Sequence, residues 1–205
     1  MADLLSSVFS LTVMRYALIV GVPVALCAAL LGVLLVLRRY AMIGDGLSHV
    51  GFGALSVAYA LNLAPMAVAV PVVILAAFLL LGLSGSRRLR GDSAIAVLSS
   101  SALALGVVAN SLAGGSATDL SGYLFGSILT LTRADVVLSV SLSAVVILLF
   151  VLFKNRIFAV TFDEPFAKSA GVRVGLYNGL LALLIAVTVV VGMRIVGTML
   201  ISSLI

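Results

Sequence analysis

Asp45 and His49 are the residues whose types and spacing best fit a chemical role. They lie four positions apart, so on a helix both side chains project from one face. A carboxylate with an imidazole suits manganese, iron or zinc, and His49 is the single histidine of the 205 residues. Glycines at positions 44, 46, 51 and 53 would let an ion or another helix approach closely. The pattern predicts a site for a divalent metal ion.

The same two residues also have a purely structural interpretation. Asp45 would be the N-cap of a helix, and His49 would be a hydrogen-bonded residue of its interior. An Asp-x-x-x-His spacing taken alone in a membrane protein favours this interpretation, so the rest of the sequence has to decide between the two.

Composition places the chain in a membrane before any motif is considered. Hydrophobic residues make up 63% and charged residues 9% of the sequence, and the mean hydropathy is +1.37, whereas soluble domains carry about 25% charged residues. The apolar runs are long and lack the alternation of an outer-membrane barrel. We therefore predict an all-α integral membrane protein, a polytopic helical bundle. The single cysteine, Cys27, excludes a disulfide framework and a thiolate metal cluster.

Six apolar runs are long enough to be membrane spans. They cover residues Leu11–Leu37, Asp45–Leu63, Met66–Leu83, Ser93–Leu112, Ala134–Phe153 and Val174–Met193. Pro23 is predicted to kink the first of them. A seventh run begins at Ile195 and stops at Ile205, and eleven residues of helix reach only about 16 Å, roughly half of a bilayer core. We therefore expect the sequence to be truncated within about the seventh span.

The segment from Ala113 to Arg133 differs from the spans on either side. It contains a Gly-Gly break, Asp119 as a candidate helix cap, and the aromatic residues Tyr123 and Phe125. We predict a short helix or a partial re-entry at the outer surface.

The basic residues predict how the spans are oriented. An even number of spans separates the loop after Arg38 from each of the other basic loops. If the loop after Arg38 faces the cytoplasm, the other basic loops therefore face it as well. The basic residues on this side are Arg38, Arg39, Arg87, Arg88, Arg90, Lys154, Arg156, Lys168 and Arg173, against Arg15, Arg133 and Arg194 on the other. The bias predicts an N-terminus outside the plasma (inner) membrane. It also explains the net charge of +5 without a nucleic-acid partner.

A short polar segment, residues 162–173, lies between the fifth and sixth spans. Asp163 can cap a helix whose first turn tolerates Pro165, and Gly171 can end it after about two turns. An apolar stripe with four-residue spacing runs along the segment: Phe162, Phe166 and Ala170. A helix too short to be stable alone, with an apolar stripe in water, needs a partner surface, or else it is a linker that packs on its own domain.

Five sequence blocks occur in a specific order and together cover nearly the whole chain. They are LVLRRYAMIGDGLSHVGFGAL, DSAIAVLSSSALALGVV, DLSGYLFGSILTLTRAD, FDEPFAKSAGV and VGTMLISSLI. In this order they resemble the permease subunits of the ABC importers that take up zinc, manganese and iron. Two features depart from the family pattern: Gly46 stands where alanine or threonine is commoner, and the family continues past the position of Ile205.

The resemblance implies a type II importer fold, in which two permeases form a homodimer around a central pathway in the lipid bilayer. Two cytoplasmic ABC ATPase subunits would drive alternating access, and an extracytoplasmic metal-binding protein would deliver the ion. The chain itself would not be an enzyme, and it contains no G-x-x-x-x-G-K-S/T motif for ATP. No permanently bound cofactor is implied. The divalent metal ion, zinc or manganese with iron as a further candidate, is the cargo.

The resemblance also implies roles for individual residues. Asp45 and His49 would line the pathway as metal ligands, with Gly46 and Gly53 packed beside them, and this context favours ligands over a helix cap. Residues 162–173 would be the cytoplasmic coupling helix segment that docks on the ATPase. The residues of this docking helix are Asp163, Glu164, Phe166, Ala167, Ala170 and Gly171. Residues 1–205 would then form one transmembrane permease domain.

Other classes of membrane protein remain open. A vitamin or siderophore ABC permease would share the architecture but would not use an Asp and His ion site. An ion-coupled secondary transporter would keep an intramembrane Asp and His but would need neither ATPase nor coupling helix. A purely structural membrane subunit is disfavoured, because burying Asp and His would cost stability with no return.

Overall fold

Helices make up the regular structure, because a segment inside a bilayer must satisfy its own backbone hydrogen bonds. The computed structural model describes residues 12–38, 42–84, 91–114, 126, 133–198 and 201, and within these ranges its elements are α-helices. They are α1 (Thr12–Leu37), α2 (Ile43–Ala60), α3 (Pro65–Ser84), α4 (Gly91–Leu112), α5 (Arg133–Phe162), α6 (Glu164–Ser169) and α7 (Val174–Val196). The predicted all-α fold is confirmed.

Four of the described helices, α1, α4, α5 and α7, are long and apolar enough to cross a membrane. Their apolar stretches are Met14–Leu37, Ile95–Leu112, Asp135–Phe162 and Val174–Met193. The apolar stretch of α3 is shorter, Ala67–Leu81. α2 falls outside this group, since its 18 residues include Asp45, His49, two serines and four glycines. The four apolar helices confirm the predicted multi-pass membrane protein.

α2 lies between α3, α4 and α7 and is covered on most of its sides. Of its 18 residues, 13 are buried, and Leu47 and Phe52 are fully so. On the side of α7, a methyl group at Gly51 would lie 2.5 Å from Met193 Sδ. Protein neighbours therefore bury Ser48 and Ser56 fully and cover most of His49, and polar residues are tolerated in a membrane where protein surrounds them.

The contact between α2 and α4 depends on glycines spaced seven residues apart. A methyl group at Gly46 would lie 2.6 Å from Ile95 Cγ2, and one at Gly53 would lie 2.7 Å from the carbonyl oxygen of Ala102. Ile95 and Ala102 are also seven residues apart, so the two helices run parallel and meet along a heptad seam. Small residues at such a seam let two membrane helices approach closely and gain van der Waals contact.

α1, α5 and α7 pack together on the other side of the bundle, and α7 also contacts α3. Their shared core includes Val24, Phe150 and Leu181. α1 continues through Pro23 as one helix. Cys27 of α1 is a free, buried thiol that donates to the carbonyl oxygen of Ser143 on α5, at 3.5 Å.

α5 is longer than the predicted fifth span. The sequence predicts an end at Phe153, before Lys154, whereas the helix continues to Phe162. Its 30 residues extend over about 45 Å, against about 30 Å for a hydrocarbon core. Lys and Arg are good helix formers, so these charges mark the membrane surface without ending the helix. The end of α5 therefore projects beyond the core and leads into α6.

α7 is also longer than predicted, ending at Val196 instead of Met193, so the predicted seventh run starts inside α7 and not after it. Gly197 follows with a φ of 93°, in the region that favours glycine. The chain then folds back, because Ile201 packs against the backbone of Gly192. The reversal at Gly197 therefore separates α7 from the residues that follow.

The predicted short helix or re-entry between Ala113 and Arg133 lies outside the described residues, apart from its two ends and Gly126. Gly126 has a φ of 68°, and a methyl group there would lie 2.5 Å from the backbone nitrogen of Gly197. One point of this segment therefore contacts the end of α7.

The helices alternate in direction, so their ends collect at two opposite faces of the bundle. At one face Arg133 Nε of α5 donates to Tyr16 OH of α1, at 3.0 Å. We call the opposite face the basic end, because it holds Arg38, Arg156, Lys168 and Arg173. That the basic end faces the cytoplasm stays a prediction.

Candidate metal-transport site

The first two turns of α2 carry the candidate metal ligands. Met42 is the N-cap, with φ of −85° and ψ of 0°, and its side chain makes no capping hydrogen bond. Asp45 is the third residue of the helix, in the first turn, where the partial positive charge of a helix N-terminus stabilises a carboxylate. The structural interpretation that makes Asp45 the N-cap is therefore wrong.

His49 lies one turn after Asp45 on the same face of α2, as the spacing predicts. The distance from His49 Nε2 to Asp45 Oδ1 is 3.4 Å, longer than a usual N–H···O hydrogen bond of about 2.7–3.2 Å. Two atoms that bind one ion at about 2.1 Å would lie about 3.0 Å apart in octahedral and about 3.4 Å apart in tetrahedral geometry. The two side chains are therefore spaced as neighbouring ligands of a single ion.

The environment of the pair is only partly closed. The side chain of His49 is 16% exposed and that of Asp45 is 37% exposed. His49 Nδ1, however, is buried and has no hydrogen-bond partner. An unpaired buried polar atom costs about 1–3 kcal/mol, and a histidine kept for stability alone would normally be paired. The unpaired Nδ1 therefore disfavours the interpretation of His49 as a hydrogen-bonded interior residue, and the choice between the two interpretations stays a prediction.

The face of α2 that carries this pair also carries Ser56, seven residues beyond His49. Within the part of the chain that the structure describes, three buried side-chain atoms lack a partner: His49 Nδ1, Ser56 Oγ and Thr198 Oγ1. Ser48 differs, because its hydroxyl donates to the carbonyl oxygen of Gly44 at 2.7 Å. The sequence analysis missed Ser56, although its spacing from Asp45 and His49 could have indicated it.

One copy of the chain supplies two ligands at this site. Across the described residues, no group of three or more His, Cys, Asp or Glu side chains is placed to hold a metal ion. Divalent transition metals are bound by four to six ligands. Further ligands would therefore have to come from water, from a second copy of the chain or from residues outside the described ranges. A site with two ligands from one chain suits transient binding of a passing ion.

Gly46 and Gly53 lie on the side of α2 that faces α4. Their missing side chains make room for Ile95 and for the backbone at Ala102. The structure thus gives both glycines a packing contact between helices of one chain. That they pack beside the metal pathway stays a prediction.

A small cavity between α1, α5 and α7 does not contribute to the site. It is lined by Val24, Ser143, Val146, Val187, Thr188 and Val191. Its threonine hydroxyl already donates to the carbonyl oxygen of Leu184, at 2.9 Å. The lining contains no carboxylate, imidazole or thiol, so it offers nothing that binds a divalent ion strongly.

The second candidate region, α6, is a short helix closed at both ends. Asp163 is its N-cap, and its Oδ1 accepts a hydrogen bond from the backbone nitrogen of Phe166, at 2.9 Å. At the other end the backbone nitrogens of Gly171 and Val172 donate to the carbonyl oxygens of Lys168 and Ala167, which is a Schellman motif. Gly171 has the left-handed φ, 78°, that the motif requires. The predicted boundaries of this helix are confirmed.

The side chains of α6 divide into a buried and an exposed set. Ala167 is 1% exposed and packs on the hydrophobic core, whereas Phe166 is 65% exposed. Phe162 belongs to α5, is also exposed, and stacks on Phe158 with a centroid distance of 6.0 Å. Glu164 in the first turn and Lys168 in the last turn complement the helix dipole. α6 therefore rests on the bundle through Ala167 and presents an aromatic side chain outwards.

A polar cluster next to α6 was missed by the sequence analysis. Arg38 of α1, Thr161 of α5 and Asn178 of α7 are joined by hydrogen bonds at the basic end. Arg38 was treated only as an indicator of topology. The available signal was Asn178, a polar side chain near the start of an apolar span.

Comparison with known families decides the class of this protein. The sequence profile of the ABC 3 transport family matches residues 10–205. The chain belongs to the ABC 3 transport family. The family inferred from the five sequence blocks is therefore confirmed.

Several curated relatives of this ABC 3 family member are named as permeases or membrane proteins of metal transport systems. The manganese import system permease protein ScaB of Streptococcus gordonii is 30% identical over 93% of this chain and 68% of that protein. A probable metal transport system membrane protein of Thermotoga maritima is 33% identical over 93% of this chain and 67% of that protein. The manganese transport system membrane protein MntC of Halalkalibacterium halodurans is 29% identical over 95% and 67%, respectively.

A solved structure shares the fold of this ABC 3 family member. The structure of PsaBC from Streptococcus pneumoniae in complex with Fab matches with a TM-score of 0.83 and 31% sequence identity. The match covers 99% of this chain and 73% of the chain in that structure. The helical bundle inferred from the sequence is therefore shared with a chain of the solved PsaBC structure.

Proposed function

We propose that this ABC 3 family chain is the permease subunit of an ABC importer for divalent transition-metal ions, with manganese or zinc as cargo. The observation that carries the proposal is the pair on α2: His49 Nε2 and Asp45 Oδ1 are 3.4 Å apart, and His49 Nδ1 is buried without a partner. The names of the manganese import permease ScaB and of the manganese transport membrane protein MntC support manganese as the first ion to test.

The chemistry of the pair fits a transported ion. A carboxylate supplies one negative charge and a neutral imidazole supplies a nitrogen ligand, and both bind manganese and zinc. Two copies of the chain meeting near α2 would provide four ligands and two negative charges for one divalent ion. Neutralising the ion matters, because an uncompensated charge within a membrane is costly. The partial exposure of Asp45 leaves the site open for entry and release.

ATP hydrolysis belongs, in this proposal, to a separate cytoplasmic ABC ATPase that drives alternating access. α6 is the docking helix: it is short, capped at both ends and presents Phe166 to the outside. Phe162 and Phe166, four residues apart, are both exposed, and exposed aromatic side chains at the water-facing end of a membrane protein fit a surface that a partner protein covers. An extracytoplasmic metal-binding protein would deliver the ion at the opposite face.

The experiment measures uptake of labelled manganese and zinc by cells that carry the permease with its ATPase and binding protein. Asp45→Asn keeps the shape of the side chain and removes its charge, and His49→Ala removes the imidazole. We expect both variants to assemble with the ATPase and to keep basal ATP hydrolysis. We expect their metal uptake to fall more than about tenfold, because even the loss of a residue that supports a metal ligand costs about 10–100-fold in affinity or activity.

Asp135→Asn is the matched control. Asp135 is also an acidic residue in the first turn of a helix, α5, but it lies far along the sequence from Asp45 and outside the proposed site. We expect this variant to transport normally. Normal uptake by Asp45→Asn would contradict the metal site and favour a vitamin or siderophore permease. Uptake that persists without any ATPase would indicate an ion-coupled carrier.

A further inference from the structure

Arg38 is a hydrogen-bonding node at the basic end of the bundle. It follows the last residue of α1, and its guanidinium is partly buried. Its Nε donates to Thr161 Oγ1 at 3.1 Å, and its Nη1 donates to Asn178 Oδ1 at 2.6 Å. The planar guanidinium presents its donors in a fixed fork, so one side chain sets the positions of both acceptors relative to α1.

The two acceptors flank α6 in the sequence. Thr161 lies in the last turn of α5, two residues before the cap Asp163. Asn178 lies in the second turn of α7, after the Schellman motif that ends α6. Arg38 therefore binds the segment that enters α6 and the segment that leaves it.

A second arginine joins the same two segments without reaching α1. Arg156 Nη1 of α5 donates to Tyr177 OH of α7 at 2.8 Å, and its guanidinium lies 5.9 Å from the centre of the ring. Phe153 packs edge-on against Tyr177, with a centroid distance of 6.0 Å. The end of α5 and the start of α7 are thus held together independently of Arg38. What Arg38 adds is a polar link from this pair to α1.

On its other side, Arg38 is close in sequence to the candidate metal site. Three residues separate it from Met42, the N-cap of α2, and Asp45 is seven residues away. At no more than about 3.6 Å per residue, the four steps from Arg38 to Met42 keep their Cα atoms within about 14 Å of each other. The residue that holds both flanks of α6 is therefore also close in sequence to the start of α2.

We propose that Arg38 is a positioning residue for transport: it links α6 to the Asp45 and His49 pair, so that movement of α6 on the ATPase moves the start of α2. The inference rests on the proposed function. Coupling between distant sites is carried by hydrogen bonds and packed side chains that join elements able to move, and Arg38 joins α1, α5 and α7 at the point nearest to α6.

The test uses the complete transporter in proteoliposomes and measures both metal uptake and ATP hydrolysis. For Arg38→Ala we expect ATPase binding and basal hydrolysis to remain, while manganese uptake and its stimulation of hydrolysis fall about tenfold, the effect of losing a hydrogen bond to a charged group. Arg38→Lys keeps the charge but not the fork, so we expect an intermediate loss. Thr161→Val with Asn178→Ala removes both acceptors and should reproduce the loss with Arg38 intact.

Tyr177→Phe is the matched control, because it removes a hydrogen bond of similar length between α5 and α7 that does not involve α1. We expect its uptake to stay within about twofold of wild type. Metal uptake by the double variant Arg38→Ala with Asn178→Ala should be no lower than uptake by Arg38→Ala alone, since both substitutions remove the same hydrogen bond.

The outcomes separate this inference from the proposed function. If the wild type takes up metal and Arg38→Ala does so at the same rate, the role of Arg38 is overturned and the proposed function still stands. Loss of ATPase binding or of thermal stability in both Arg38→Ala and the acceptor variant would show a structural role and also overturn it. Absence of metal uptake by the wild type would overturn the proposed function and the coupling role with it.

Discussion

Gly53 shows how much a single residue decides in this bundle. A methyl group there would lie 2.7 Å from the carbonyl oxygen of Ala102, and this oxygen belongs to the backbone of α4. A backbone atom cannot turn away as a side chain can. The methyl at Gly46 would instead meet Cγ2 of Ile95, a methyl group of a buried side chain. The two glycines look alike in the sequence but differ in what they contact.

We expect Gly53→Ala to destabilise the protein by about 1–3 kcal/mol, because α2 would have to move away from α4. We expect Gly46→Ala to cost less, because its methyl would press on the side chain of Ile95 and not on the backbone of α4. The thermal unfolding midpoint of the two purified variants in detergent measures the difference. An equal drop of the unfolding midpoint in both variants would contradict this difference and show that α2 and α4 shift apart in the same way at both glycines.

At the scale of the element, α6 is a helix of six residues that local hydrogen bonds define almost completely. Its cap and its Schellman motif satisfy backbone groups that a short helix would otherwise leave to water. Ala167 is its one residue packed into the core. The hydrogen bonds of α6 therefore fix its shape, whereas its position on the bundle depends on the packing of neighbouring residues. This combination suits a helix that docks on a partner.

Phe166→Asp tests α6 as the docking helix. A charge in place of an exposed aromatic side chain should not disturb membrane insertion, but it should weaken ATPase binding by more than about tenfold, because a charge would be buried in the interface. Phe166→Leu keeps an apolar side chain and serves as the control, with binding close to wild type. Co-purification of the ATPase with each variant is the measurement. Normal binding by Phe166→Asp would show that α6 is only a linker.

At the scale of the whole molecule, the alternating helices bring Arg38, Lys154, Arg156, Lys168 and Arg173 to one end, while Arg15 and Arg133 lie towards the other. The positive-inside rule predicts that this end faces the cytoplasm. The candidate metal ligands on α2 start near the same end, whereas the reversal at Gly197 lies at the opposite one. An ion released from the Asp45 and His49 pair would therefore have a short path to the cytoplasm.

Cysteine labelling tests this orientation. In a Cys27→Ala background, a cysteine at Ser169 in α6 should react only with reagent on the cytoplasmic side. One at Ala113, which is exposed at the far end of α4, should react only from outside. Labelling of both from one side would contradict the alternation of the helices. If the cysteine at Ser169 reacted only from outside and the one at Ala113 only from the cytoplasm, the alternation would stand and only the predicted orientation would be wrong.

Local and compositional features of the sequence already determined much of this protein. The apolar runs specified membrane helices, because backbone groups in lipid must pair within their own segment. The four-residue spacing of Asp45 and His49 placed both on one helix face, which depends only on helical geometry. The cap at Asp163 and the glycine at 171 set the ends of α6 through bonds between near neighbours in the chain.

Contacts between distant parts of the chain were decided only by the tertiary structure. The close approach at Gly53, the fold-back of Ile201 and the bonds from Arg38 to Thr161 and Asn178 all join residues on different elements. The sequence analysis ended the fifth span at its first charges, because hydropathy marks where lipid ends and not where the hydrogen-bonded helix ends. The lack of a partner for His49 Nδ1 could likewise be seen only once the neighbours of α2 were in place. Periodicity identifies the face of a helix, whereas packing in three dimensions determines what that face meets.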